Sequence, residues 1–160
     1  MLTTSPYDLL ENAVPASAPA MSRAQKDRLT SDLRMACMRI SRRVRFESTM
    51  DVAPHQFSIL VRLEDGPRTP KEIAEIEQVS APSISRTVGT LVERGLVSRS
   101  DDPADGRQVI LSLTSEGRRT IKETRRRRDQ WLATRLEHLG DDERALLLEA
   151  TALLERVAAE

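Results

Sequence analysis

The sequence predicts a mainly α-helical fold with one small β-hairpin, and three features predict it. Two short helical patterns follow each other closely between residues 69 and 94, two short strand patterns flank a turn between residues 96 and 113, and longer helical patterns lie on both sides of this block. Two adjacent helices followed by a hairpin are typical of a winged helix-turn-helix. A chain of 160 residues is long enough for one such domain with appended helices.

The first short helix has clear start signals at residues 69–72. The Thr69 hydroxyl can accept a backbone N–H, Pro70 suits the first helical position, and Glu72 completes a capping box. We expect its apolar side to face the core. That side consists of Ile73, Ile76 and Val79.

The second short helix is predicted over residues 80–94, with Ser80 as the N-cap and Pro82 in the first turn. Its apolar residues recur at helical spacing and must face a core: Ile84, Val88, Leu91 and Val92. The opposite face carries small and hydrogen-bonding side chains with one arginine: Ser83, Arg86, Gly89 and Thr90. Such a face suits a helix in a DNA major groove, and the alternative is an ordinary amphipathic helix with a solvated polar face.

A hairpin is predicted over residues 96–113, after Gly95 ends the helix. Its Asp-rich turn would repel phosphates unless a cation dominates, and Arg99 and Arg107 are the cations available. Asp102 or Asp105 can hold Arg107 in a fixed pose. A calcium loop is excluded because a proline stands where a second carboxylate is needed and no glutamate closes the loop.

These residues carry a family resemblance. Residues 98–117 resemble the wing signature of the MarR family of bacterial transcription regulators, Asp-x-x-Asp-x-Arg followed by Leu-Thr-x-x-Gly, and residues 79–99 look like the family's recognition helix and its turn into the wing. The signature positions are Asp102, Asp105, Arg107, Leu113, Thr114 and Gly117. The resemblance covers about residues 29 to 160. It implies a homodimeric, sequence-specific transcription regulator, expected to be a repressor, that binds a pseudo-palindromic double-stranded operator and is released by a small molecule.

The DNA-binding residues expected on this basis lie on the recognition helix 80–94 and the wing 96–113. They are Ser80, Ala81, Ser83, Ser85, Arg86, Thr87, Thr90, Arg99 and Arg107. Asp102 and Asp105 are expected to brace the wing. Family members bind small aromatic effectors where the dimer helices meet the DNA-binding lobe, and the candidate residues there are Phe46, His55 and Phe57.

Around the winged segment 54–114, the remaining chain divides into three parts. Residues 1–21 form a Pro- and Ala-rich tail, expected to be flexible, and residues 22–50 and 115–160 are predicted as dimerisation helices of a MarR-type domain spanning 22–160. The first of these helices has the apolar side Leu29, Leu33, Ala36, Cys37, Ile40 and Val44. Ser115 is expected to cap the next helix, and the last helix carries more leucine than one chain can cover, which favours a dimer.

Charge divides unevenly along a chain whose formal net charge is zero. Residues 54–114 carry seven basic and nine acidic residues, a net charge of −2, whereas residues 22–50 carry +5 and residues 115–139 carry +4. A net-negative lobe is unfavourable for DNA binding. It supports an alternative function, a winged-helix protein–protein interaction module without specific DNA binding.

Several other residue groups are expected to have structural roles. Some MarR relatives use a thiol on the first helix to sense peroxides. Cys37 lies too close to Pro54 to match them, and the tyrosines that hydrogen-bond to their thiol are missing, so Cys37 is expected to be a buried structural thiol. The run 125–128 of four arginines spreads around a helix, so it is expected to be solvated or paired with acids of a partner subunit, with flanking DNA as the alternative. Trp131 is expected in core or dimer packing.

Composition and motifs argue against other classes of protein. The two histidines have no ligand at metal-binding spacing, no catalytic triad or Gly-rich phosphate loop is present, and neither a cofactor nor an enzymatic activity is expected. One cysteine, no membrane-length apolar run and no signal-like start predict a cytoplasmic location.

Overall fold

The computed structural model describes residues 20–47, 52–103 and 108–159. Within them the helices and strands follow the predicted order, which confirms the mainly α fold with a hairpin wing. The elements are α1 (Arg23–Glu47), α2 (Pro54–Arg62), α3 (Pro70–Glu77), α4 (Ala81–Glu93), β1 (Val97–Asp101), β2 (Val109–Leu113), α5 (Ser115–Leu136) and α6 (Asp141–Ala159). The chain separates into two units, Met1–Met38 and Arg39–Glu160, and the division falls within α1.

The hydrophobic core of the second unit lies where α2, α3, α4, the hairpin and the start of α5 meet. Each of these contributes one side chain with no exposed surface: Leu60, Ile73, Leu91, Leu111 and Ile121. Burying an aliphatic side chain of this size contributes about 1.5–3 kcal/mol. We call this part of the chain, residues 52–124, the winged lobe.

The apolar stripe of α4 is confirmed, since Ile84, Val88 and Leu91 are buried and Val92 packs against them. The predicted stripe of α3 is wrong in two positions. Ile76 and Val79 are 39% and 45% exposed, and Ala74 is buried beside Ile73 instead. Val79 is exposed because α3 ends at Glu77, so Val79 lies beyond the helix and no longer follows its periodicity.

Helix ends agree closely with the sequence signals. Thr69 Oγ1 accepts the Glu72 N–H at 3.2 Å, and Glu72 Oε2 accepts the Thr69 N–H at 2.7 Å, which confirms the capping box. Ser80 holds the N-cap position of α4, but its side chain makes no capping hydrogen bond. Gly95, with φ 68°, ends α4 as predicted.

The wing is an antiparallel pair running from Val97 opposite Leu113 to Asp101 opposite Val109. A third segment joins it through Arg68, whose N–H donates to the Leu111 oxygen at 3.0 Å and whose oxygen accepts the Leu111 N–H at 2.8 Å. The sequence patterns did not indicate this single-residue bridge.

Thr114, and not Ser115 as expected, is the N-cap of α5. Its Oγ1 accepts the Gly117 N–H at 3.0 Å and lies 2.7 Å from the Gly95 carbonyl oxygen. A Cβ on Gly117 would lie 2.3 Å from the Leu96 carbonyl oxygen. The Leu-Thr-x-x-Gly signature therefore joins the end of the recognition helix and the wing to α5.

The terminal helices differ from the lobe, because neither α1 nor α6 has a buried residue. On α1 only Val44 is partly buried, and Cys37 is exposed, so its expected burial is wrong for the single chain. On α6, Leu146, Leu153 and Val157 are each more than half exposed. None of the described helices combines the length and the apolar character that crossing a membrane requires.

Candidate nucleic-acid interface

The face of α4 opposite its buried stripe presents the predicted DNA-contacting residues of this helix. Ser80, Ala81, Ser83, Ser85 and Arg86 are exposed, and Thr87 and Thr90 are partly exposed. Both threonine hydroxyls donate to carbonyl oxygens of their own helix, Thr87 to Ser83 at 3.1 Å and Thr90 to Arg86 at 3.4 Å. Their oxygen lone pairs and methyl groups remain available for base edges.

This face is free of bulky side chains around one arginine. A Cβ added to Gly89 would meet nothing within 4 Å, so the middle of the helix is open to close approach. No carboxylate of the described residues forms an ion pair with Arg86. Its guanidinium is therefore available for a bidentate contact to guanine or for a phosphate.

The acids of α3 are engaged in contacts within the lobe. The hydrogen bond from the Thr69 backbone is the main cause that holds the pKa of Glu72 below its ordinary value, with the Thr69 hydroxyl adding to it. Glu75 lies 4.0 Å from Lys71 on the same helix. Glu77 accepts hydrogen bonds from two residues of α2, Ser58 and Arg62.

On the wing, Arg99 is exposed on β1 opposite Leu111. At the other end of the strand, the Asp102 N–H donates to the Gln108 oxygen at 3.0 Å and closes the hairpin. Arg107 and Asp105 lie outside the described residues, so bracing of Arg107 by Asp102 or Asp105 stays a prediction.

The four consecutive arginines of α5 point in separate directions, as their helical spacing required. Arg125 forms a two-pronged ion pair with Glu64 at 2.9 and 2.7 Å, and Arg126 and Arg127 both bond Glu123. These acids belong to the same chain, and the three arginine side chains remain partly open to solvent, so pairing with a partner subunit stays a prediction. The bonds from Arg126, and then from Arg127, lower the pKa of Glu123 to about 2.

The fourth arginine, Arg128, lines a cavity of about 240 Å³ between α1, α2 and α5. Its guanidinium carbon lies 4.1 Å from the centre of the Phe57 ring, and its buried Nε has no hydrogen-bond partner in the described structure. Burial lowers the pKa of Arg128, and the nearby charge of Arg45 lowers it further. The lining residues are Arg45, Pro54, Phe57, Ser58, Val61, Arg62 and Arg128.

The structure does not bring together the three predicted effector residues. Phe57 is buried and lines this cavity. Phe46 is 67% exposed and lines a different cavity of about 560 Å³, whose described lining residues all belong to α1. His55 is exposed and lines neither. The smaller cavity is the better candidate ligand site because residues of three helices and an aromatic ring line it, and sequence reasoning missed its arginines Arg45 and Arg128.

Known proteins identify the class of molecule. A model of the MarR family matches residues 50–108. An uncharacterized HTH-type transcriptional regulator of Mycobacterium bovis is 41% identical over 129 residues, which cover 79% of this chain and 90% of the relative. The chain belongs to the MarR family. It is therefore a winged helix-turn-helix transcription regulator that binds DNA, and this family's members are not enzymes.

Two further similarities extend over most of this MarR protein. The structure of a MarR family protein from Bacillus stearothermophilus is 26% identical with a TM-score of 0.68, covering 88% of this chain and all of that one. The HTH-type transcriptional repressor MdtR of Bacillus subtilis is 27% identical over 138 residues, covering 82% of this chain and 89% of the relative. Among the described residues of this MarR protein, no cluster of His, Cys, Asp and Glu could hold a metal ion.

Proposed function

We propose that this MarR protein is a homodimeric repressor that binds a pseudo-palindromic operator and is released by a small aromatic anion. The observation that carries the DNA-binding part is the exposed polar face of α4. Its serines, its threonines and Arg86, which has no ion-pair partner among the described residues, lie opposite the stripe that packs into the core. We assign base contacts to Ser83, Arg86 and Thr90, and phosphate contacts to Ser80 and its neighbours.

The dimer is proposed from the uncovered apolar surface of the terminal helices. On α6, Leu146, Leu153 and Val157 share one face and are 67%, 53% and 67% exposed. On α1, Leu29 and Ile40 are about half exposed. Monomeric proteins rarely leave continuous apolar surface of this kind open to water. A two-fold dimer would cover it and hold two copies of α4 about 34 Å apart, one turn of DNA.

The wing contributes a second contact in this proposal. Arg99 is exposed on β1 and Arg107 is predicted at the tip, so each subunit would place cations in the minor groove beside its half-site. Because the lobe is net negative, few phosphates are neutralised. A plot of log affinity against log salt concentration has a slope of about −0.9 for each phosphate contact, so few contacts should give the operator complex a shallow salt dependence.

The repressor role is supported by the similarity to MdtR, which is named a transcriptional repressor. A dimer bound across a promoter blocks polymerase without needing any further activity. The test measures transcription from the promoter of the gene that encodes this protein, with and without the purified protein. Higher transcription in the presence of protein would instead identify an activator.

The effector site is proposed at the cavity between α1, α2 and α5. Its volume of about 240 Å³ lies below the roughly 300–1,000 Å³ of typical ligand pockets, which suits a single aromatic ring. Phe57 offers a ring surface, and the guanidinium of Arg128, whose Nε has no hydrogen-bond partner among the described residues, offers N–H donors to an anion. The guanidinium groups of Arg45 and Arg128 are close to each other, and within the described ranges neither forms an ion pair with a carboxylate, which favours a negatively charged ligand.

The experiment that tests DNA recognition compares Arg86→Ala with the control Arg118→Ala, an exposed arginine on α5 that is not among the residues assigned to DNA. Fluorescence anisotropy would measure binding to the operator and to a scrambled duplex. Arg86→Ala should lose about 1–3 kcal/mol of discrimination between the two duplexes, and Arg118→Ala should lose little. Unchanged discrimination in Arg86→Ala would contradict the assignment.

The alternative function is a protein–protein interaction module, which the net-negative lobe favours. A gel shift with the promoter region of the gene that encodes this protein distinguishes a DNA-binding regulator from an interaction module. Binding that survives competition by excess non-specific DNA supports the regulator, whereas failure to shift this or any other duplex supports the interaction module.

A further inference from the structure

We propose that Glu77 acts as an internal competitor of the effector: an anion in the cavity and the Glu77 carboxylate compete for Ser58 and Arg62, which couples the cavity to the recognition helix. This inference rests on the proposed function, because it requires an anion to bind between α1, α2 and α5. It goes further by assigning the contact that transmits binding to α4.

The cavity and Glu77 share two side chains. Ser58 Oγ donates to Glu77 Oε2 at 2.6 Å, and Arg62 Nε donates to Glu77 Oε1 at 2.8 Å. Ser58 and Arg62 also line the cavity. Both carboxylate oxygens of Glu77 are therefore held by groups that an anion in the cavity can attract.

Glu77 occupies a position where a small movement affects α4. It is the last residue of α3, and only Gln78 and Val79 separate it from the N-cap Ser80. The turn is tight, because Gln78 adopts a left-handed conformation with φ 53° and the Val79 N–H donates to the Ala74 oxygen at 3.1 Å. A turn with so few free dihedral angles passes a shift of Glu77 on to the start of the recognition helix.

The charges favour competition. Arg45, Arg62 and Arg128 all line the cavity, and Glu77 neutralises only Arg62. Burial acts to raise the pKa of Glu77, but hydrogen bonds from Ser58 and Arg62 outweigh it and keep the pKa below its ordinary value. The carboxylate is thus charged at neutral pH. A bound anion would repel this carboxylate and offer Arg62 another partner.

Anion binding and operator binding should weaken each other through Glu77. If operator binding needs α3 held to α2 through Glu77, an anion that releases Glu77 weakens operator binding by the same factor by which the operator weakens anion binding. The anion must bind the released state more tightly than the held state, and the shared Ser58 and Arg62 supply that difference.

The test compares Glu77→Gln with Glu75→Gln in the full chain. Glutamine keeps the shape and a hydrogen bond to Ser58 but removes the charge. Glu75 lies on the same helix, is exposed and, among the residues that the structure describes, pairs only with Lys71, so it is a matched control. Benzoate and phenyl phosphate serve as probes. Calorimetry measures their binding, and anisotropy measures operator affinity with and without saturating probe.

In the wild type, the probe should weaken operator binding by a factor in the range of about 5–150, typical of allosteric coupling. In Glu77→Gln that factor should fall towards one while probe affinity rises, and Glu75→Gln should match the wild type. Ser58→Ala should reduce the factor partly, which keeps the inference testable if Glu77→Gln does not fold. A wild-type factor in Glu77→Gln, or in Ser58→Ala, overturns it.

Failure of the proposed function has a different signature. If neither probe binds the wild type, or if Arg128→Gln binds both probes as tightly as the wild type, the effector site falls and this inference falls with it. If the probes bind through Arg128 and release the operator, yet the factor is unchanged in Glu77→Gln, only the role of Glu77 is overturned.

Discussion

The winged lobe and the terminal helices use the same aliphatic residues with opposite results. In the described residues every buried hydrophobic side chain lies between Val52 and Ile121, whereas α6, with five leucines, buries none. Leu91 has no exposed surface and Leu153 is 53% exposed. One chain therefore completes the hydrophobic core of the lobe, whereas the apolar side chains of the terminal helices stay exposed unless a second molecule covers them.

The largest expected effect tests this contrast directly. Leu91→Ala should lower the free energy of unfolding by about 2–5 kcal/mol, because it leaves a cavity in a close-packed core. Leu153→Ala should change it by less than about 0.5 kcal/mol at protein concentrations where the chain is monomeric, while weakening the dimer. Urea denaturation and sedimentation equilibrium measure the two quantities. Equal losses of monomer stability would break the comparison.

The next largest effect on stability is expected at Gly117, where the wing joins α5. Gly117→Ala should cost about 1–3 kcal/mol, because its Cβ would clash with the Leu96 carbonyl and with the Leu113 side chain, 2.6 Å away. Gly89→Ala, also within a helix but in open space, should instead stabilise by about 0.5–1 kcal/mol. Thermal or urea unfolding measures both. Two changes of the same sign would show that the junction is not rigid.

Two N-caps of the lobe, Thr69 and Ser80, separate a contribution to stability from one to DNA recognition. Thr69→Ala should cost about 1 kcal/mol, since it removes a capping box. Ser80→Ala should leave stability nearly unchanged, because its side chain makes no capping bond, but it should weaken operator binding. Urea denaturation and anisotropy separate these results. A stability loss in Ser80→Ala with unchanged operator affinity would contradict its assignment to DNA.

The smallest effect concerns the surface of α5. Because the pKa of Glu123 is depressed from 4.5 to about 2, its ion pairs contribute stability above pH 4.5 that is lost as the pH falls towards 2. The stability difference between wild type and Glu123→Gln should therefore be constant at neutral pH and shrink through this window. Urea midpoints measured from pH 7 to pH 3 test this. The difference should also be small and salt-sensitive, since the side chains are exposed.

Local signals in the sequence predicted the elements of the lobe well. The capping box at Thr69, the stripe of α4 and the left-handed Gly95 depend on residues within a turn or two of each other. Sequence signals predicted the wrong residue where a contact distant in the chain selects the N-cap, or where a helix is too short to show a clear period. Thr114 rather than Ser115 caps α5 because the Gly95 carbonyl lies beside its hydroxyl, and α3 is too short for periodicity to separate Ala74 from Ile76.

The candidate DNA-contacting face was predictable because exposure on a helix follows from the burial of its opposite side. The cavity was not. Its arginines come from residues 45, 62 and 128, which no local pattern relates, and the Arg128 contact with Phe57 joins residues far apart in the chain. The Glu77 hydrogen bonds to Ser58 and Arg62 are of the same kind.

The order of helices and strands, the polar face of α4 and the family of the chain could be inferred from the sequence alone, because caps, periodicity and turn residues act over short distances. The three-dimensional structure was needed to show which apolar residues are buried, which arginines of α5 are paired, and that the cavity shares Ser58 and Arg62 with Glu77 at the end of α3. The physical reason is that burial and ion pairing depend on what lies across the fold, and sequence spacing does not record that.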